Sequence, residues 1–241
     1  SIVTRAIVFN NTLIARSATP ALAPTLLPGA AADNWSDFIL RRVFVDASGN
    51  TLFWTGTIGI LPSPVTDVAA LNNTAVAQET LALPADAATT LGGFTSGWLE
   101  PDGQWFIRAV ESDNLTDVVI RNGTVVARRA QPITPGSTET WERVSASVNG
   151  FLSNVGNSAG DYVLLGKPAA GAAAVLNGQT VVARRGDPVD LNANGLDDDN
   201  AYIRGFKSEV GPGTAFLTNS REPWMVIDVE TDAGIDLGDA I

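Results

Sequence analysis

Residues 173–186 read AAVLNGQTVVARRG, which is an apolar run, an Asn-Gly pair and a second run rich in β-branched residues. Asn and Gly readily adopt the positive φ angles of a tight hairpin turn, so this stretch predicts two antiparallel strands joined by a two-residue turn. The same pattern occurs three more times, as AIVFNNTLIAR from residue 6, AALNNTAVAQ from residue 69 and VVIRNGTVVARR from residue 118. Four copies of one hairpin predict a repeat protein made of β-strands.

A second hairpin alternates with the first along the chain. Its copies are RRVFVDASGNTLFWTGTI from residue 41, SGWLEPDGQWFIRAVE from 96, NGFLSNVGNSAGDYVLLG from 149 and TAFLTNSREPWMVIDVE from 214. Aligning their second strands places Phe53, Ile107, Leu164 and Val226 in one column, and the residues that alternate with them are also apolar. Strands with two apolar faces are typical of a sheet covered on both sides, as in the blade of a β-propeller.

The repeat length of about 56 residues predicts the fold in more detail. We expect an all-β single domain over residues 1–241, a β-propeller of four four-stranded blades near residues 38–80, 94–130, 141–186 and 202–241. The hairpin in residues 1–17 would complete the fourth sheet and close the ring without a free strand edge. The alternative is a part of a larger propeller, or one completed between molecules.

The last residues, GIDLGDAI from Gly234, match the opening strand of yet another first hairpin. A closed ring has no place for this strand, because the hairpin in residues 1–17 would already supply both missing strands. We therefore expect Leu237 to Ile241 to be displaced, disordered or paired with another copy of the chain, head to tail.

Composition and charge exclude several classes of function. The 241 residues include 15 Lys and Arg against 26 Asp and Glu, a formal net charge of −11, so the chain as a whole would repel nucleic acid and anionic membranes at long range. There is no His and no Cys, which excludes disulfides, Ser-His-Asp catalysis and metal sites built on imidazole or thiolate. No apolar run approaches the roughly 20 residues of a membrane helix.

The repeat resembles a known group of proteins. The pattern of an Asn-containing turn, an aromatic strand, a Gly-rich turn and then VVAR followed by GDP is clearest in residues 176–203. It is similar to the tandem-repeat β-propellers of secreted bacterial proteins, some of which carry a sorting or dockerin-like tail. The resemblance implies a propeller fold and an extracellular or cell-surface setting, and it brings no catalytic residues. The start at Ser1 without Met is what a processed secreted protein would have.

Residues 190–200, DLNANGLDDDN, have the spacing of a calcium loop. Oxygen-bearing side chains stand at loop positions 1, 3, 5 and 9, Gly at position 6 permits a sharp turn, and position 7 offers its carbonyl group. The predicted calcium ligands are Asp190, Asn192, Asn194, Leu196 through its carbonyl oxygen, and Asp198. Position 12 is Ala201 instead of the usual Glu, so the bidentate ligand would be one of Asp197, Asp198 and Asp199.

The remaining polar groups have structural interpretations with functional alternatives. The pairs Arg41-Arg42, Arg128-Arg129 and Arg184-Arg185 would neutralise nearby carboxylates, or bind an acidic sugar or partner. Glycoside hydrolysis needs only two carboxylates, for which the candidates are Glu100, Asp102, Glu111 and Asp113. Turn formation explains Asp102 equally well. Trp35, Trp98 and Trp141 would be core residues or, if exposed, platforms for sugar rings.

Together these observations predict an extracellular, non-enzymatic structural or binding module with calcium as a brace. Its expected partners are other copies of itself, an extracellular matrix or a glycan. The alternative is a carbohydrate-binding or glycoside-hydrolysing propeller that uses paired carboxylates.

Overall fold

A computed structural model describes residues 5–17, 35–37, 43–59, 66–143, 150–207 and 215–241 of the chain. All regular secondary structure in these residues is β-strand, as the sequence predicted, and one of the sheets curls into a half-barrel. The described residues contain no helix with the length and hydrophobicity needed to cross a membrane. The chain forms two compact units, Ser1–Val126 and Ala127–Ile241, which are described separately below.

The first unit begins with a two-stranded sheet, the N-terminal hairpin, made of β1 (Ala6–Phe9) and β2 (Thr12–Arg16). Sheet 1 contains β3 (Trp35–Asp37), β4 (Phe44–Val45), β5 (Leu52–Ile58), β6 (Thr66–Leu71) and β7 (Thr74–Gln78), with β3 and β4 both pairing with β5. Sheet 2 contains β8 (Ala82–Leu83), β9 (Asp86–Leu99), β10 (Trp105–Glu111), β11 (Asp117–Arg121) and β12 (Thr124–Arg128), the last of which crosses into the second unit.

The second unit contains two further groups of strands. Sheet 3 is a meander of β13 (Phe151–Gly156), β14 (Tyr162–Gly166), β15 (Ala173–Leu176) and β16 (Thr180–Arg184). Sheet 4, as we use the name, comprises β17 (Tyr202–Phe206), β18 (Ala215–Leu217), β19 (Pro223–Met225), β20 (Ile227–Glu230) and β21 (Asp236–Ala240). The strands of sheet 4 form two separate hydrogen-bonded groups, one in which β18 pairs with β19 and one in which β20 pairs with both β17 and β21.

One asparagine fixes the register of the same hairpin in sheets 1, 2 and 3. In sheet 3 the Asn177 backbone N–H donates to the carbonyl oxygen of Tyr162 at 2.8 Å, and Asn177 Oδ1 accepts from the Tyr162 N–H at 2.8 Å. Asn72 makes the same two hydrogen bonds with the backbone of Leu52, and Asn122 makes them with the backbone of Trp105. We call this pair of hydrogen bonds the asparagine bracket. All three asparagines have φ near +50°, which confirms the turn geometry predicted for the Asn pairs. The loop of the sheet 3 hairpin has three residues rather than two.

Consecutive sheets pack face to face within each unit. In the first unit, Ile7 and Ala15 of the N-terminal hairpin pack on Trp54 of sheet 1, while Phe53, on the other face of sheet 1, packs on Ile107 of sheet 2. In the second unit, Val163 and Leu165 of sheet 3 pack on Ile203, Ile227 and Val229 of sheet 4. Apolar residues on both faces of a strand therefore bury against two different neighbours, which is where most of the hydrophobic stabilisation arises.

The predicted column of core residues is partly wrong. Phe53, Ile107 and Leu164 are buried, but Val226 is only half-buried and lies in the break between β19 and β20. The asparagine bracket makes Leu52 the counterpart of Trp105, so that Trp54, and not Phe53, corresponds to Ile107. Phe53 thus lies on the face opposite to that of Ile107 and Leu164, because a shift of one residue exchanges the two faces of a strand.

The predicted arrangement of the chain ends is also wrong. The C-terminal segment has a strand partner in its own chain, since β21 pairs antiparallel with β20 from Ile227↔Ala240 to Glu230↔Asp236. It occupies the third-strand position that the hairpin in residues 1–17 was predicted to fill, and β1 and β2 form a sheet of their own. Charges hold β21 in place. Lys207 Nζ lies 2.6 Å from Asp228 and 2.9 Å from Asp239, and Arg204 lies 3.0 Å from Asp236.

Three sheets have the predicted strand order of second hairpin followed by first hairpin, in β4–β7, β9–β12 and β13–β16. Among the described strands of sheet 4, none pairs with the outer edge of β21, so that sheet has no fourth strand there. Within the residues that the structure describes, a closed ring of four blades is not shown.

Candidate functional site

The candidate calcium loop, residues 190–200, connects β16 to β17. Its base is closed by the Val189 N–H, which donates to the carbonyl oxygen of Ala201 at 2.8 Å. Gly195 has φ +82°, a left-handed conformation that strains most residues with a side chain, so the glycine at loop position 6 is required by the turn. The predicted ligands are therefore brought into one short loop at the start of sheet 4.

The oxygen atoms of the loop accept hydrogen bonds from the loop itself. Asp190 Oδ2 accepts from the Gly195 N–H at 2.6 Å, and Asn192 Oδ1 accepts from the Asn194 N–H at 3.0 Å. Asn194 Oδ1 accepts from the Leu196 N–H at 2.7 Å, and its Nδ2 donates to Asp198 Oδ1 at 3.3 Å. Asp190, Asn192, Asn194 and Asp198 are thus linked by hydrogen bonds within one turn, in which Asp190 is half-buried and the other three side chains are exposed.

The sequence left open which of Asp197, Asp198 and Asp199 would be the bidentate ligand, and Asp199 is the one whose side chain reaches the start of the loop. Its Oδ2 accepts from the Leu191 N–H at 2.6 Å and from the Asn192 N–H at 3.1 Å, and its Oδ1 accepts from Asn192 Nδ2 at 2.6 Å. Asp199 therefore directs both carboxylate oxygens back toward the start of the loop, where they accept these three hydrogen bonds. No group of three or more acidic side chains in the described residues has the arrangement of a metal site.

The carboxylates considered for glycoside hydrolysis have structural surroundings. The Glu100 side chain is only 2% exposed and lies 3.7 Å from Arg121 Nη2. Burial raises the pKa of Glu100 to about 8, against the opposing effect of Arg121. Asp102 Oδ1 accepts from the Gln104 N–H at 3.0 Å, and Asp113 Oδ1 accepts from the Leu115 and Thr116 N–H groups, both at 2.8 Å. A substrate cannot reach Glu100 in this conformation, Asp102 and Asp113 hold turns, and Glu111 is half-buried at the end of β10.

The structure places Arg184 and Arg185 beside carboxylates, in agreement with the charge-neutralising interpretation. Arg184 lies 3.3 Å from Glu139 and Arg185 lies 3.4 Å from Glu230. Arg41 and Arg42 lie outside the described residues. The sequence analysis missed Arg108, which is buried in sheet 2, where its Nε donates to Ser96 Oγ at 2.7 Å and burial lowers its pKa to about 10. The signal that could have identified it is a basic residue in a largely apolar strand.

The tryptophans divide between core and surface. Trp35 and Trp141 are 1% and 2% exposed, so they are core residues, and Trp98 stacks on Phe106 with ring centroids 5.5 Å apart. Trp224, which the sequence placed in a blade, is instead 49% exposed and stacks on Phe216.

No protein-family model, no curated protein and no solved structure matches this chain.

Proposed function

We propose that this chain is an extracellular, non-enzymatic repeat scaffold, whose repeated sheets hold loops and faces in place for binding. The single observation that carries the proposal is the packing of consecutive sheets through both faces of their strands, as in sheet 1 between the N-terminal hairpin and sheet 2. Side chains that would serve catalysis in other proteins have structural roles here. Glu100 is buried beside Arg121, and Asp102 and Asp113 cap turns.

The finer form of the proposal is a β-propeller in which each sheet is one blade. Its support is the period of about 56 residues and the recurrence of the same strand order and asparagine bracket in three sheets. In this form β21 is the third strand of the last blade, and β1 and β2 are the third and fourth strands of another blade. The resemblance to secreted bacterial repeats supports the extracellular setting.

Calcium is the proposed brace of the loop that leads into sheet 4. The support is the ligand spacing, the turn at Gly195 and the position of Asp199, which would add the bidentate carboxylate missing at loop position 12. Several carboxylates repel one another in so short a loop, and a divalent cation would relieve this repulsion. A bound ion would stabilise the folded protein by mass action, and most strongly at the entry to sheet 4.

Calorimetric titration of the full chain with calcium chloride tests the brace. We expect one site and a melting temperature that rises with calcium and falls with chelator. Asp190→Asn and Asp199→Asn should each abolish the heat of binding, whereas the matched control Asp113→Asn, a turn carboxylate elsewhere, should leave it unchanged. A melting temperature that ignores saturating calcium would contradict the site.

The non-enzymatic part of the proposal has a separate test. The purified chain, incubated with a panel of acidic and neutral polysaccharides, should release no reducing sugar above the blank. Release of sugar above the blank would contradict the proposal, and its loss in a Glu100→Gln variant that circular dichroism shows to be folded would favour the glycoside-hydrolysing alternative.

A further inference from the structure

Sheet 4 buries one face and exposes the other. Its strands β18 and β19 direct Leu217 and, in part, Met225 into the core shared with sheet 3. Phe216 and Trp224 alternate with these residues, so they lie on the opposite face. They are register partners, they stack with ring centroids 6.4 Å apart, and they are 54% and 49% exposed. An exposed pair of large aromatic residues marks an interaction surface.

The N-terminal hairpin has a matching exposed face. Ile7 and Ala15 bury against sheet 1, so that Val8, which follows Ile7 in the strand, points the other way. Val8 and Leu13 are register partners in β1 and β2, and they are 63% and 37% exposed. The hairpin therefore presents a small apolar patch on the side away from sheet 1.

The repeat identifies what kind of face each patch is. We call the face of an element that packs on the next element along the chain its later face, and the face that packs on the preceding element its earlier face. Each inner contact joins the later face of one element to the earlier face of the next, as Val163 of sheet 3 packs with Ile227 of sheet 4. The pair Phe216 and Trp224 belongs to the later face of sheet 4. Val8 and Leu13 belong to the earlier face of the N-terminal hairpin, because the later face of that hairpin already packs on sheet 1. The two exposed faces are therefore of opposite kinds, like the two sides of every inner contact.

Charge also matches. Residues 5–17 contain two arginines and no acidic residue, whereas the described residues of sheet 4, 202–207 and 215–241, contain six acidic residues and three basic ones. Opposite charge around two apolar patches favours their association and sets its orientation.

We propose that the exposed face of sheet 4 binds the N-terminal hairpin of a second copy of this chain, with Val8 and Leu13 packed on Phe216 and Trp224. The contact is heterologous, so it joins copies head to tail. This inference deepens the proposed scaffold function and rests on it, since it gives the scaffold its partner. It reverses the role expected of the C-terminus from the sequence, because sheet 4 receives an element from another copy and does not donate its last strand.

Sedimentation equilibrium of the full chain over a wide range of concentration tests the proposal. We expect an average mass that rises with concentration in the unmodified protein. The hairpin variant Val8→Asp with Leu13→Asp, and the sheet variant Phe216→Lys with Trp224→Lys, should each stay monomeric. Their mixture should form a one-to-one dimer and nothing larger, since each variant keeps one intact face. Circular dichroism checks that both variants are folded.

The control variant Leu115→Asp changes another exposed apolar residue, in the turn between β10 and β11, and should leave the association unchanged. A chain that is monomeric at all concentrations would overturn the proposal and favour closure of a ring within one chain. Association that survives in both double variants, or a mixture that stays monomeric, would also overturn it. The scaffold proposal would stand in each case, because its tests are calcium binding and the absence of sugar release.

Discussion

Sheets 3 and 4 belong to the same repeat and share one core, yet they are stabilised in different ways. Sheet 3 buries both of its faces, with Val163 on the face toward sheet 4 and Leu164 on the other, each at most 1% exposed. Sheet 4 buries the residues around Ile227 and leaves Trp224 on the opposite face exposed. Whether a sheet buries both of its faces thus depends on whether each face has a packing partner, and not on the repeat sequence alone.

The third strands of the two sheets show the same contrast. In sheet 3, β15 is followed by Asn177, which makes two hydrogen bonds with the Tyr162 backbone and donates from Nδ2 to Asp161 Oδ1 at 2.7 Å. In sheet 4, β21 has no such asparagine and is held by ion pairs, chiefly those of Lys207 with Asp228 and Asp239. Sheet 3 is therefore expected to be rigid by burial and hydrogen bonding, and sheet 4 to depend on surface charge.

A matched pair of truncations tests the first contrast and should give the largest effect. Val163→Ala removes two methyl groups from a fully buried site and should lower the free energy of unfolding by about 2–3 kcal/mol, through lost transfer energy and a residual cavity. Val226→Ala is the same chemical change at a half-buried site in sheet 4 and should cost less than about 1 kcal/mol. Urea denaturation of the two variants measures the difference, and equal losses would show that sheet 4 is as well covered as sheet 3.

The sequence predicted the elements of this fold better than their ends. Hairpins with Asn turns and strands with two apolar faces are local patterns, so the strand order of sheets 1, 2 and 3 could be derived from them. The place of β21 could not, because Asp236–Ala240 carries few apolar residues and its pairing depends on Arg204 and Lys207 in a strand some thirty residues earlier in the sequence. The one-residue error in the alignment of Phe53 with the other repeats could likewise not be derived from the sequence, because the hydrogen bonds of Asn72 in the structure determine that register.

For the candidate calcium loop, spacing could propose the ligand set but could not choose among three consecutive aspartates. Asp199 is distinguished only by its hydrogen bonds to the far end of the loop, at Leu191 and Asn192. The exposure of Trp224 was equally hidden, because its burial depends on whether another sheet covers that face. Such features depend on contacts between distant segments, which local patterns do not encode.

The asparagine bracket of sheet 3 provides a second test of the comparison, with an intermediate effect. Asn177→Gly keeps the positive φ but removes the side-chain hydrogen bonds to Tyr162 and Asp161, so it should cost about 1 kcal/mol. Asn177→Ala also forces a residue with a side chain into the left-handed region, which should add about 1–2 kcal/mol. Both variants should speed hydrogen exchange in β14 and β15 more than in β21. Identical losses for Gly and Ala would mean that the turn conformation contributes nothing.

The smallest expected effect concerns the charges that hold β21. Hydrogen bonds that Lys207 Nζ donates to the carboxylates of Asp228 and Asp239 raise the pKa of Lys207 well above its usual range, so Lys207 is charged at neutral pH. Lys207→Met should speed the exchange of the β21 amides modestly, because exposed ion pairs contribute little individually. High salt should produce the same change in the unmodified protein and less of it in the variant, since screening acts on the pairs that the substitution has removed. Lys167→Met, at an exposed lysine just after β14, is the matched control and should leave β21 unchanged. Exchange in β21 that ignores both salt and Lys207 would show that backbone pairing with β20 suffices, and that sheets 3 and 4 hold their third strands alike.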